Sequence, residues 1–178
     1  MLMMKAQLAK DRVIVWDKKG AEALFDEGAF GKLVAERLEL SLVEAAYLSE
    51  KERLEIIDDG KAIGTEAFIK YCNMVDSRFD CRYAVYKDLR ERDLPARTGF
   101  KFGCDFRVYA KGVKPLKRGP KSAKEHTKWI VFAVPEGYVF SFPELSRAVR
   151  LAHNIRANML WAVVGKQVRY YQVEFFKP

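Results

Sequence analysis

The chain has 178 residues, a formal net charge of +8, 49% hydrophobic and 13% aromatic content. That length holds one medium domain or two small ones, with enough apolar material for a packed globular core. No run approaches the roughly 18 apolar residues needed to span a bilayer, and the N-terminus lacks the apolar stretch of a secretory signal, so a cytoplasmic address without membrane association is expected. Cys72, Cys81 and Cys104 are odd in number and lack metal-ligand spacing, so they read as packed thiols, with no metal site and no cofactor expected.

Charge is segregated by half. Residues 1–80 carry 12 Lys+Arg against 16 Asp+Glu, whereas residues 81–178 carry 20 against 8. The second half is therefore expected to face a polyanion, and the first to serve as scaffold or partner surface.

In chain order, residues 12–16 form a β-rich run closed by the turn-like Asp17-Lys18-Lys19-Gly20. Residues 21–27 have helical composition and stop at Gly28. Ser41-Leu42-Val43-Glu44 is an S-x-x-E capping box that opens a helix. Residues 54–57 read as a strand before the turn Asp58-Asp59-Gly60, and Thr65 is placed to cap a helix over residues 66–74. The less periodic residues 75–80 form the expected boundary, giving an α/β scaffold domain at 1–80 and a second domain at 81–178. The second domain opens with a helix over residues 81–92, followed by β-rich runs at 98–101, 106–109, 129–134 and 168–175. A further S-x-x-E box, Ser141-Phe142-Pro143-Glu144, starts the helix before the last of these. The fold class is α/β, with a central mixed sheet and helices on its faces in the second domain.

Four segments carry a resemblance. They are Tyr83-Ala84-Val85-Tyr86-Lys87-Asp88-Leu89-Arg90, residues 98–109 with Gly103-Cys104-Asp105-Phe106-Arg107-Val108-Tyr109, Glu125-His126-Thr127-Lys128-Trp129, and residues 145–156 ending His153-Asn154-Ile155-Arg156. Together they resemble the archaeal tRNA-splicing endonuclease family over residues 81–175, and residues 41–48 resemble its N-terminal domain. The resemblance implies a restriction-endonuclease-like C-terminal α/β domain and a four-unit assembly. It also implies cleavage of precursor tRNA at a bulge-helix-bulge by metal-independent 2′-OH transesterification, leaving 2′,3′-cyclic phosphate and 5′-OH ends.

That reaction needs a base at the ribose 2′-hydroxyl, an acid at the leaving 5′-oxygen and a cation at the phosphorane. By the resemblance Tyr109 is the base. A free phenol titrates near 10, so the role calls for nearby cations, and Arg107, Lys111 and Lys114 are close in sequence. His126 matches the acid, and an imidazole gives up a proton near neutrality. His153 matches a non-catalytic position and is expected to pack or to make an internal hydrogen bond. The family lysine position is Ala157, which cannot supply charge. Three readings stay open: a lysine-to-alanine exchange made to trap substrate, a neighbouring cation such as Arg156 or Lys166 taking over, or a catalytically impaired or purely RNA-binding subunit.

Residues 101–128 contain nine Lys+Arg against two Asp+Glu. Lys114, Lys117, Arg118 and Lys121 in this loop are candidates for backbone phosphates. Arg147, Arg150 and Asn154 share one helical face, with Ala157 continuing it at i+10. The resemblance makes Arg150 one of two arginines that grip a bulged base, with Arg169 as the nearest candidate for the other. The loop Val164-Gly165-Lys166-Gln167-Val168, after the Trp161-Ala162-Val163-Val164 strand, is short and lacks the carboxylates by which self-assembling family members dock. The expected partner is therefore a homologous structural subunit in an α2β2 heterotetramer, with a homotetramer as the alternative.

Overall fold

A computed structural model describes residues 3–99, 103–113, 115 and 126–176. The chain divides into two units, Met1–Tyr83 and Ala84–Pro178.

In the first unit, alternation along short strands buries one sheet face. β1 (Met4–Ala9), β2 (Arg12–Val15), β3 (Lys32–Val34), β4 (Arg37–Ser41), β5 (Leu54–Asp58) and β6 (Lys61–Ile63) form a sheet of order β3-β4-β2-β1-β5-β6. In this sheet β1 and β5 pair in parallel, and the other pairings among the described residues are antiparallel. Ala6, Val13, Val15, Leu38, Leu40, Leu54 and Ile56 are buried, as are Leu24 of α1 (Lys18–Gly28) and Ala45, Ala46 and Leu48 of α2 (Leu42–Glu50). Burying each large aliphatic side chain is worth about 1.5–3 kcal/mol.

Several local expectations change. Asp17-Lys18-Lys19-Gly20 is the start of α1 and not a turn: the Asp17 carboxylate accepts the Gly20 N–H at 2.7 Å. Gly28 is the last helical residue, and Ala29 takes the left-handed conformation, with φ 55°. Thr65 is the first residue of α3 (Thr65–Val75), capped by Gly64, and its hydroxyl bonds Ser49 at 2.9 Å. Within the segment 75–80, Val75 closes α3 and Phe79 opens α4 (Phe79–Glu91), so the break between helices is confined to residues 76–78.

The second unit is built on β7 (Ala96–Thr98), β8 (Phe106–Val108), β9 (Trp129–Pro135), β10 (Asn158–Val164) and β11 (Val168–Val173), in the order β11-β10-β9-β8-β7. β9 and β10 are parallel, joined through α5 (Phe142–Asn154), and the other pairings are antiparallel. Residues 130–134 and 159–163 are near-continuous apolar runs because both faces of these strands are covered. On one face Ile130, Val134, Met159 and Trp161 pack with Ala148 and Ala152 of α5. On the other, Tyr86 of α4 lies 5.7 Å from the Phe106 ring, and the Tyr170 hydroxyl donates to Asp88 at 2.7 Å. At the start of α5, Ser141 accepts the Glu144 N–H at 3.3 Å, but the Glu144 carboxylate accepts from the Tyr138 hydroxyl and does not complete the box. Cys72 and Cys104 are buried and Cys81 is half-buried, all as free thiols. Among the described residues no helix is long and apolar enough to cross a membrane.

Candidate active site

The site is defined by three strand ends. Val108 of β8 and Asn158 of β10 both pair with Trp129, the first residue of β9. One position further out, the Lys128 N–H donates to Val108 O and the Lys128 carbonyl accepts from the Asn158 N–H, both at 2.9 Å. Tyr109 leaves β8 and Ala157 enters β10 on either side of Lys128. Strands are spaced about 4.8 Å apart, so the backbones of Tyr109 and Ala157, 48 residues apart in sequence, lie about 10 Å apart across the sheet end. His126 is two residues before Lys128, at the same end and exposed.

Each position is fixed by ordinary local structure. The Tyr109 N–H donates to Pro95 O at 2.9 Å, and the residue is only 2% exposed. Tyr109 thus lies just beyond β8 and is not part of it. Ala157 is set by the end of α5. The Arg156 N–H donates to His153 O and the Ala157 N–H to Ala152 O, at 3.1 and 2.9 Å, with Arg156 left-handed at φ 57°. This is a Schellman closure, with Arg156 where glycine is usual and Ala157 packing its methyl group on the α5 core. Since α5 ends at Asn154, Ala157 does not continue its exposed face; the i+10 relation with Arg147 fails because the chain has already turned into β10.

The Gly103-Cys104-Asp105 segment supports these ends. Gly103 is left-handed, with φ 68°, and a Cβ on Gly99 would meet the Cys104 carbonyl at 2.9 Å. The buried Asp105 carboxylate accepts the Ala133 N–H at 2.9 Å, tying the entry of β8 to β9. Burial pushes the Cys104 thiol up to about 12, so it acts as a packed group and not as a nucleophile.

The predicted cations fall into different places. Arg147 and Arg150 are exposed on α5, and Arg150 donates to the Ser146 hydroxyl at 3.0 Å. Arg150 is four residues before the last helical residue, about 6 Å along the axis from the end that feeds Ala157. Arg169 pairs with Val163 and bonds the Glu136 carboxylate. Val163 is five residues along β10 from Asn158, roughly 16 Å away, so Arg169 and Lys166 belong to the opposite end of the sheet. Lys166 is therefore at the far end of the sheet from Ala157. Lys111 is drawn to Asp93 at 2.7 Å. Lys114, Lys117, Arg118 and Lys121 lie outside the described residues. His153 is exposed and not packed.

Lys128 emerges only from the ladder. It is exposed, with its ammonium 4.4 Å from the centre of the Trp129 ring. In sequence it is one more lysine close to His126, and counting the β9–β10 register is the step that brings it next to Ala157.

The chain matches the family model for the tRNA intron endonuclease catalytic C-terminal domain over residues 79–170 and that for the N-terminal domain over residues 4–69. It belongs to the tRNA-splicing endonuclease family. A tRNA-splicing endonuclease of Thermococcus kodakarensis is 38% identical over 172 residues, covering 96% of both chains. One from Nanoarchaeum equitans is 39% identical over 147 residues, 83% of this chain and 95% of the relative. The protein of the same name from Methanosarcina mazei is 39% identical over 171 residues, 94% of this chain but 47% of the longer relative. The family acts on precursor tRNA. The sheet end with Tyr109, His126, Lys128 and Ala157 lies inside the span matched to the catalytic domain of this endonuclease family.

Proposed function

We propose that the chain is a subunit of a tRNA-intron endonuclease that cuts precursor tRNA at a bulge-helix-bulge without a metal ion. The ribose 2′-oxygen attacks the adjacent phosphorus as its P–O5′ bond breaks, leaving a 2′,3′-cyclic phosphate and a 5′-hydroxyl. Tyr109 takes the 2′-proton and His126 gives one to the departing 5′-oxygen. Residues 81–178 do this work, and residues 1–80 form the scaffold. The reading rests on one observation, the convergence of positions 109, 126 and 157 on one end of β8, β9 and β10.

Ala157 favours a second reading, a catalytically impaired or RNA-binding subunit, because a methyl group leaves the phosphorane without its cation. Lys128 and Arg156 flank that position, and they set the residual activity. The short 165–167 turn without a carboxylate supports an α2β2 heterotetramer in which a homologous structural subunit supplies the acidic loop, a self-assembled tetramer being the alternative. The test incubates the chain, alone and with such a subunit, with a bulge-helix-bulge RNA in the presence of EDTA, and identifies the ends. Slow cleavage with the partner, giving cyclic phosphate, is expected. Loss of all cleavage in EDTA, or 3′-hydroxyl products, contradicts the chemistry, and a tetramer formed by the chain alone contradicts the need for a partner.

A further inference from the structure

The first unit holds an exposed aromatic platform that its scaffold role does not use. Trp16 follows β2 and is 56% exposed, yet its ring is fixed on two sides. The indole N–H donates to the Gln7 Oε1 at 3.0 Å, and the Arg37 guanidinium lies 5.3 Å from the ring centre. Arg37 is itself held by two bonds to Glu39, at 2.9 and 3.3 Å, and Glu39 also accepts from Arg12 at 3.2 Å. Beside the indole is a cleft of about 710 Å³, lined among others by Met3, Lys5, Gln7, Asp17 and Ile57. That volume admits a nucleotide.

Charge selects the occupant. The half as a whole is acidic, but the sheet face bearing Trp16 carries Lys5, Arg12, Lys32 and Arg37 against Glu39 and Glu55. Arg12 and Arg37 both bind Glu39, and Arg12 also binds Asp11. Among the residues lining the cleft, Asp17 is the one carboxylate and Lys5 the one cation. Gln7 uses its oxygen on the indole, which leaves its amide N–H groups for an acceptor on a base edge. A rigid indole backed by the Arg37 guanidinium, with the Gln7 amide and the Lys5 ammonium at the same cleft, suits a flat base on a phosphate chain better than an apolar protein surface.

We propose that the Trp16 cleft is a stacking subsite for an unpaired base of RNA, with Lys5 at the adjoining phosphate. The subsite lies outside the matched catalytic domain, and it rests on the reading that this chain binds precursor tRNA. The test titrates the full chain with a short uridine oligoribonucleotide and, in parallel, with precursor tRNA, following tryptophan fluorescence and affinity. The oligonucleotide is expected to quench emission, Trp16→Phe to remove most of the quench, and Trp16→Ala to weaken binding about tenfold. Lys5→Ala, which leaves the platform in place, is expected to weaken binding and to reduce its salt dependence. Unchanged affinity for both RNAs in Trp16→Ala and Lys5→Ala overturns the subsite while leaving precursor tRNA binding intact. Failure of the unaltered chain to bind either RNA removes the reading beneath it as well. Shielding of Trp16 from acrylamide by a partner subunit, with no effect of RNA, assigns the face to protein and also overturns the subsite.

Discussion

Arg156 and Tyr170 bound the second unit at the level of single residues. Arg156 holds a left-handed conformation that costs an L-residue about 1–2 kcal/mol, part of which glycine recovers. Arg156→Gly is expected to raise unfolding stability by roughly 0.5–1 kcal/mol in urea titration, a gain that an ordinary helical φ would turn into a loss. Tyr170 is half-buried and donates to Asp88, which also binds Arg92. Burial, then the hydrogen bond to the Asp88 carboxylate, raise the Tyr170 phenol well above its usual range, and burial raises the Cys72 and Cys104 thiols from 9.0 to about 12. All three groups are held protonated in the folded state. Their stabilising effect is full below the unfolded values and is lost as pH rises, from about 9 for the thiols and about 10 for the phenol. Stability measured against pH should fall across that alkaline range, and Tyr170→Phe should flatten the part above pH 10. An identical slope in that variant contradicts the assignment.

At the scale of elements, helix α2 shows what local sequence can specify. The Glu44 carboxylate accepts the Ser41 N–H at 2.9 Å, as the S-x-x-E spacing predicts, and it also accepts the Ser41 hydroxyl at 2.6 Å and the Gly31 N–H at 2.8 Å. That third bond joins the β3 entry to α2 and has no signal in local sequence. Glu44→Ala leaves the buried Gly31 donor without this acceptor and should cost about 3 kcal/mol by urea unfolding, well beyond the roughly 1 kcal/mol of a simple cap. A loss near 1 kcal/mol would show the Gly31 bond to be dispensable. The same distinction governs the rest of the fold. Long helices and the doubly covered strand β9 are legible from caps and apolar runs, whereas β10, equally apolar, is absent from the β-rich runs read in the sequence and enters only as the Trp161–Val164 strand named with the family resemblance. The three-residue strands β3 and β6 are too short for alternation to register, and they exist through pairing with β4 and β5. Asp17 reads as a turn residue because turns and N-caps favour the same short acceptors. At the candidate site, Tyr109, His126 and Ala157 can be picked out by resemblance, whereas the places of Lys128 and Lys166 require the strand register.

For the molecule as a whole, the charge division takes on a structural meaning. The basic half carries the sheet end with Lys128 and the exposed Arg147 and Arg150 of α5, while the acidic half places four of its twelve cations, Lys5, Arg12, Lys32 and Arg37, on the sheet face that bears Trp16. Precursor tRNA affinity should therefore fall steeply with salt, and Arg150→Ala should reduce the slope of log affinity against log salt by roughly 0.7–0.9 for each phosphate that Arg150 neutralises. A slope equal to that of the unaltered chain would show that Arg150 touches no phosphate. The account depends above all on the end of β8, β9 and β10 being the place where RNA is cut. The most direct measurement is the single-turnover cleavage rate of a bulge-helix-bulge RNA by the assembled Ala157→Lys protein, with and without Tyr109→Phe. Restoring the cation should raise the rate by about 10² to 10³, and removing the phenolic oxygen in that background should take away at least about 10². A rate unmoved by both substitutions would place the chemistry elsewhere in the molecule.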